Sequence, residues 1–274
     1  MLRLEYPHAA APKCRRLALN SALTGLLLAT LVPAWAADTG LPRQIVVKLR
    51  SGDNLAGVLS SHDLTLARQL GPRPLFLLRT RATDDLALKI AALNGDERVA
   101  FAEPNLRVRD PEARKRSVWA IGNESDYVSQ WAPQQLGLTA AHAISDGSGI
   151  TVAVIDTGID GTHPALAGRL RPGFDFIDND ADASEEGTAA NAAYGHGTHV
   201  AGLVALAAPG ATLMPLRVLD PQGRGNIWHV AEALLHAADP DGNPDTPDHA
   251  QVINLSLGTT TPTQLLDKVV ELVT

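Results

Sequence analysis

Two histidines, His196 and His199, stand three residues apart in the stretch YGHGTHVAGLVA (194–205), among glycines and running into apolar residues. An imidazole can bind a metal, move a proton or simply pack. A zinc site would need a glutamate beside the first histidine, or further ligands at helical spacing, and H-x-x-H alone lacks both. No metal is therefore assigned here. A base oriented by a buried carboxylate is the stronger reading, because an aspartate fixes the tautomer and stabilises the imidazolium that forms. One candidate is Asp156, which ends the apolar run in GITVAVIDTGID (149–160). Taken alone it could equally be a turn residue or a helix cap. His199, one helical turn on, reads as a packed or hydrogen-bonded helix residue.

These side chains need elements to hold them. The unbroken apolar run before Asp156 predicts a strand in a sheet buried on both faces, the habit of parallel α/β folds. Ligands in such sheets sit beyond the carboxyl ends of strands, where Asp156 falls. Gly195 and Gly197 allow a close backbone turn ahead of the imidazole. Val200, Ala201, Leu203 and Val204 then predict a buried helix. Near Thr274, LLDKVVELV places Leu265, Val269 and Leu272 at helical spacing.

Upstream lies a small α/β unit. RQIVVKLR (43–50) and PLFLLRT (74–80) read as strands. SSHDLTLARQLG between them predicts a helix capped by Ser61 and stopped at Gly71. TDDLALKIAALNG predicts another, capped by Thr83, with Leu86, Ile90 and Leu93 on one face and Gly95 at its end. RVAFAEPN (98–105) predicts a third strand, stopped at Pro104. No nucleophile–base pair occurs in this unit, which reads as a binder.

The chain has 274 residues, 45% hydrophobic and 19% charged, with a net charge of −7. That balance suits a folded protein and argues against a nucleic-acid partner, which would demand clustered Lys and Arg. The charge is unevenly spread. Residues 37–116 hold 14 basic and 10 acidic side chains, whereas residues 117–274 hold 5 and 19. The two parts can attract one another. DPEARKRS (110–117) reads as an exposed linker and cleavage region. Residues 1–36 carry Lys13, Arg15 and Arg16, an apolar run, and Ala34-Trp35-Ala36, the pattern of a cleaved signal peptide. The run is too short and broken for a stable membrane anchor. The expected location is secreted or periplasmic. Cys14 leaves with the signal, so neither catalysis nor stability rests on sulfur.

Three motifs in order carry a resemblance. VAVIDTGIDGTHP (152–164), GHGTHVAG (195–202) and VINLSLG (252–258) resemble successive signatures of the subtilisin-like serine peptidases. The resemblance implies an α/β, parallel-sheet subtilisin-like domain over 117–274, with Asp156 the orienting carboxylate and His196 the general base. It also implies that LDPQGRGNI (219–227) and LSLG (255–258) are edge strands clamping a substrate backbone. Gly223, Arg224, Gly225, Ser256, Leu257 and Gly258 would line that channel, suited to protein or peptide substrates. The unit at 37–116 resembles the family's propeptide, a small α/β plait that assists folding and blocks the active site. NESDYVSQW (123–131) resembles the start of the mature enzyme, which puts processing near 109–122.

The family's serine, in a G-T-S-M-A motif, is not found in this sequence, nor is its downstream oxyanion asparagine. Gly122-Asn123-Glu124 precedes Asp156 and falls in the wrong place, and Ser256 belongs to a substrate-binding strand. The expectation is a chain covering roughly the first half of a catalytic domain and inactive as given. The rival reading is a noncatalytic inhibitor or folding assistant acting through 37–116. No cofactor is required for the chemistry. Two acidic loops, FDFIDNDADASEE (174–186) and DPDGNPDTPD (239–248), carry oxygen ligands at alternate positions that could hold structural calcium, with a solvated loop as the simpler reading of the second.

Overall fold

The computed structural model describes residues 40–113, 129–243 and 245–274. The expected signal segment, the basic run Arg114–Arg116 and most of the NESDYVSQW stretch lie outside the described residues.

The first part runs β1 (Gly40–Leu49), α1 (Leu55–His62), β2 (Thr65–Gln69), β3 (Leu75–Arg79), α2 (Leu86–Asn94) and β4 (Val99–Arg109). Its strands are antiparallel in the order β2-β3-β1-β4. This is the split βαβ plait. Alternation along the strands explains why IVVKL and LFLL contain so little polar spacing. Ile45, Val47, Phe76 and Leu78 pack with Val58 and Leu93 on the helix side. Val46, Leu75 and Leu77 face the other way and are buried too. A sheet covered on both sides needs apolar residues at every position.

Three local expectations are corrected. The helix expected across 61–71 instead ends at His62, whose C-cap Asp63 adopts a left-handed conformation (φ 54°). A short polar side chain tolerates that turn. Thr65–Gln69 then extends as an edge strand on β3, and Ser61 lies inside α1 rather than capping a helix. Helix α2 forms as expected, with Leu93 buried and Leu86 and Ile90 against the same core. Its cap is Asp85, which accepts the Leu88 N–H at 3.0 Å, not Thr83. Strand β4 continues through Pro104 to Arg109. The β1–β4 register shifts between Gly40↔Leu106 and Ile45↔Pro104, so the missing N–H falls at an irregularity of the ladder.

The second part contains α3 (Trp131–Gln135), α4 (Leu138–His142), β5 (Thr151–Asp156), β6 (Phe174–Asp175), α5 (His196–Ala207), β7 (Thr212–Arg217), β8 (Arg224–Asn226), α6 (Ile227–Ala238), β9 (Val252–Leu255) and α7 (Gln264–Val273). Strands β6-β7-β5-β9 form a parallel sheet in that order. Every residue of β5 is buried, as its apolar run predicts. Val152 and Val154 pack under α5, while Ala153 and Ile155 face the core that holds Trp228 of α6. Leu203 and Leu272, both expected on buried faces, are 42% and 55% exposed. Leu203 lies off the stripe formed by Val200, Ala201, Val204 and Ala205, and the buried stripe of α7 ends at Val269.

The two parts share one apolar seam. Val46, Leu75, Leu77 and Phe101 of the plait join Trp228, Leu234, Leu265 and Val269 in a single cluster. Two β4 side chains also satisfy helix starts. Glu103 accepts from Thr263 Oγ1 (2.7 Å) and from the N–H groups of Gln264 and Leu265 (both 2.9 Å). Asn105 Oδ1 accepts the Trp228 N–H at 3.2 Å. Orphan donors at a helix N-terminus favour a carboxylate there.

Candidate active site

Asp156 closes β5 and His196 opens α5, so the parallel sheet delivers both to one end. His196 Nδ1 donates to Asp156 Oδ1 at 2.7 Å, and the two residues are 5% and 1% exposed. The same carboxylate oxygen accepts the Thr157 N–H at 2.7 Å, and Thr157 Oγ1 accepts the Gly197 N–H at 2.9 Å. These bonds tie the strand end to the first turn of the helix. Only glycine fits at 197, because a Cβ there would collide with the Gly158 carbonyl oxygen. Burial alone would lower the His196 pKa. The Asp156 hydrogen bond and the charges of Asp156, Asp110 and Glu112 more than offset this, and the group sits above its ordinary value. An imidazole held at Nδ1 presents Nε2 as a proton acceptor. His199 lies on the outer face of α5, and partial burial lowers its pKa.

A residue without a sequence signal supports this turn. Glu185 Oε2 accepts from the Thr198 N–H (3.2 Å) and from Thr198 Oγ1 (3.0 Å), and Thr198 Oγ1 in turn accepts the Asp160 N–H (2.9 Å). Burial pushes the Glu185 carboxyl above its usual range, against the hydrogen bonds from Thr157, Thr198 and Gly195. Glutamate eleven residues before the histidine follows no helical or strand period, so spacing could not reveal it.

The plait's last strand enters the expected channel. β4 pairs antiparallel with β8, Arg107 opposite Asn226, Val108 opposite Gly225 and Arg109 opposite Arg224. On its other side Arg109 N–H donates to the Gly258 carbonyl (2.9 Å), and Gly258 N–H returns a bond to Arg109 O (3.1 Å). The Asp110 N–H donates to the Gly223 carbonyl at 2.9 Å. Main-chain atoms of Gly223, Arg224, Gly225 and Gly258 thus hold the tail as an added strand. Ser256 Oγ accepts from Asn254 Nδ2 (3.0 Å), and Leu257 packs against the seam. The exposed Arg224 guanidinium is bound to Asp220 at 2.9 Å.

Comparison with known proteins finds a family model for each part of the chain. Residues 147–272 match the Subtilase family, and residues 40–105 match the Fervidolysin N-terminal prodomain. Residues 147–272 thus carry a subtilase domain, preceded by a prodomain of the fervidolysin type. The chain is 34% identical over 192 residues to the thermophilic serine proteinase of Bacillus sp. strain AK1, covering 66% of this chain and 42% of that protein. It is 38% identical over 141 residues to thermitase of Thermoactinomyces vulgaris, covering 48% of this chain and 45% of thermitase. The extracellular protease of Xanthomonas campestris pv. campestris is 30% identical over 297 residues, covering 87% of this chain and 50% of that protein. The chain therefore spans half or less of the length of these relatives. Fervidolysin from Fervidobacterium pennivorans, described as a keratinolytic enzyme related to subtilisin, superposes with a TM-score of 0.63 at 22% identity. The overlap covers 85% of this chain and 38% of fervidolysin, and shows the shared fold. Among the described residues, no helix is long and apolar enough to cross a membrane.

The acidic loops differ in how their charge is met. Asp175, Asp178 and Glu186 converge on the buried Arg217, whose guanidinium donates to all three. In the second loop Asp239, Asp241 and Asp248 lie together, and Thr246 Oγ1 bonds to both Asp241 and Asp248.

Proposed function

We propose that this chain carries the prodomain and the base–carboxylate half of a secreted serine-type endopeptidase. The observation that supports it most is the 2.7 Å Asp156–His196 contact beside a channel already filled by an extended strand. In the reaction a serine hydroxyl attacks the peptide carbonyl, His196 Nε2 takes its proton and returns it to the leaving amine, and Asp156 holds the ring and offsets the imidazolium charge. The substrate backbone lies where the tail now lies, antiparallel to Arg224–Asn226 and against Gly258. Reading the main chain suits a peptidase that accepts many protein sequences. The prodomain acts as an intramolecular inhibitor by occupying that position.

This sequence holds no G-T-S-M-A motif, so the 274 residues alone do not hydrolyse peptides. Loss of the nucleophile costs on the order of a million-fold in turnover in a serine triad. No cofactor enters the chemistry, and Arg217 supplies the positive charge at the 174–186 loop that a cation would otherwise bring. Fluorophosphonate labelling of the native secreted product, followed by intact mass, tests the reading. A labelled species heavier than residues 117–274 alone is expected, because the signal and the prodomain leave on processing. An unlabelled species of the mass of residues 117–274 would leave a binding protein in place of a peptidase.

A further inference from the structure

The prodomain tail brings a carboxylate to the imidazole. Asp110 is 1% exposed, and its Oδ1 lies 3.7 Å from His196 Nε2. That is an ion-pair distance, too long for a hydrogen bond. Oδ1 accepts the Glu112 N–H at 2.7 Å, whereas Oδ2 is buried with no hydrogen-bond partner among the described residues. His196 therefore stands between two buried carboxylates, Asp156 on Nδ1 and Asp110 toward Nε2.

We propose that Asp110 is a latch that seats the inhibitory tail while the Asp110–His196 pair carries one proton, on either partner, and lets the tail go as that proton is lost at alkaline pH. With the proton present, the pair is either an imidazolium facing a carboxylate or a neutral imidazole facing a carboxylic acid, and both are stable in a buried site. With the proton gone, a buried carboxylate faces an uncharged ring with one oxygen unsatisfied, which is costly. The tail's main-chain bonds do not titrate, so this contact supplies its local pH dependence.

The other ionisable groups facing the pair, among the described residues, are Asp156 on β5, Glu112 on the tail and His199 on α5. Arg224 on β8 is paired with Asp220. Burial pushes the Asp110 carboxyl up, opposed by the Glu112 N–H and the His196 charge, and His196 is raised as well. Groups whose pKa rises on seating take up protons. Seating is thus fully favoured below their free values and weakens as pH climbs through the seated ones.

The inference rests on His196 being the catalytic base, but its test needs no nucleophile, so the two fail separately. The full chain is titrated by NMR at the His196 ring while amide exchange is followed at Arg109 and Asp110, from about pH 6 to about pH 9. In the native chain His196 should titrate about one unit higher than in Asp110→Asn. Protection of the two amides, corrected for intrinsic exchange, should fall about tenfold more steeply across that range. Glu112→Gln should keep the steep dependence. If Asp110→Asn does not fold, His196→Gln removes the proton acceptor and should flatten the profile equally. Identical His196 titration in native and Asp110→Asn chains, or equal steepness of tail protection, would overturn the latch.

Discussion

The plait body and the plait tail grip the rest of the chain by different physics. The body buries Val46, Leu77 and Phe101 against Trp228 and Leu265, and adds the Glu103 cap on α7. The tail, from Arg107 to Asp110, buries one apolar side chain, Val108, and is otherwise held by main-chain bonds and one titratable contact. Most of the apolar burial is thus at the seam, while the tail contributes the strand pairing. On the latch proposed above, a cut or a proton change in the tail would open the channel while the body stays docked.

The contrast can be broken most forcefully at the seam. Trp228 is fully buried, and Trp228→Ala should cost about 3–5 kcal/mol in chemical denaturation, through lost transfer and the cavity left behind. A loss under about 1 kcal/mol would mean that apolar burial does not hold the plait. Glu103→Ala strands three donors at the start of α7 and should cost about 2–3 kcal/mol, with Glu103→Gln milder, by the same measurement.

Acid sharpens the comparison, because it acts on the seam in the sense opposite to the latch. Burial, then the Arg68 charge, holds the His229 pKa down at about 4 against an ordinary 6.5. A histidine lowered by folding contributes stability that is present above 6.5 and lost as pH falls toward 4. One pH unit inside that window should remove roughly 1.4 kcal/mol, and His229→Gln should erase this slope in pH-dependent unfolding. The smallest effect belongs to the rim. The Arg68–Glu232 bridge, 3.0 Å long with Arg68 37% exposed, should contribute under about 1 kcal/mol in a double-mutant cycle.

What could be read from the sequence was local. The apolar strand ending in Asp156, the glycines around His196 and the Gly95 end of α2 are set within a few residues, and their spacing exposes them. Thr65–Gln69 was legible only as a mixed pattern, because an edge strand draws its definition from the neighbour it pairs with. Pro104 signals a strand stop locally, yet a register shift in β1, some sixty residues away, lets β4 run on. Glu103, Glu185 and Asp110 went unseen for one reason. Each serves a helix start or ring brought to it by the fold, and no period or motif records such a meeting.

The reading of His196 as a base oriented by Asp156 is tested most directly by the nitrogen-15 NMR spectrum of its ring in the full chain. The geometry requires the proton on Nδ1, giving a far-downfield proton resonance, coupled to that nitrogen, that survives Asp110→Asn and disappears in Asp156→Asn. A ring protonated at Nε2 when neutral, or a spectrum indifferent to Asp156→Asn, would contradict it.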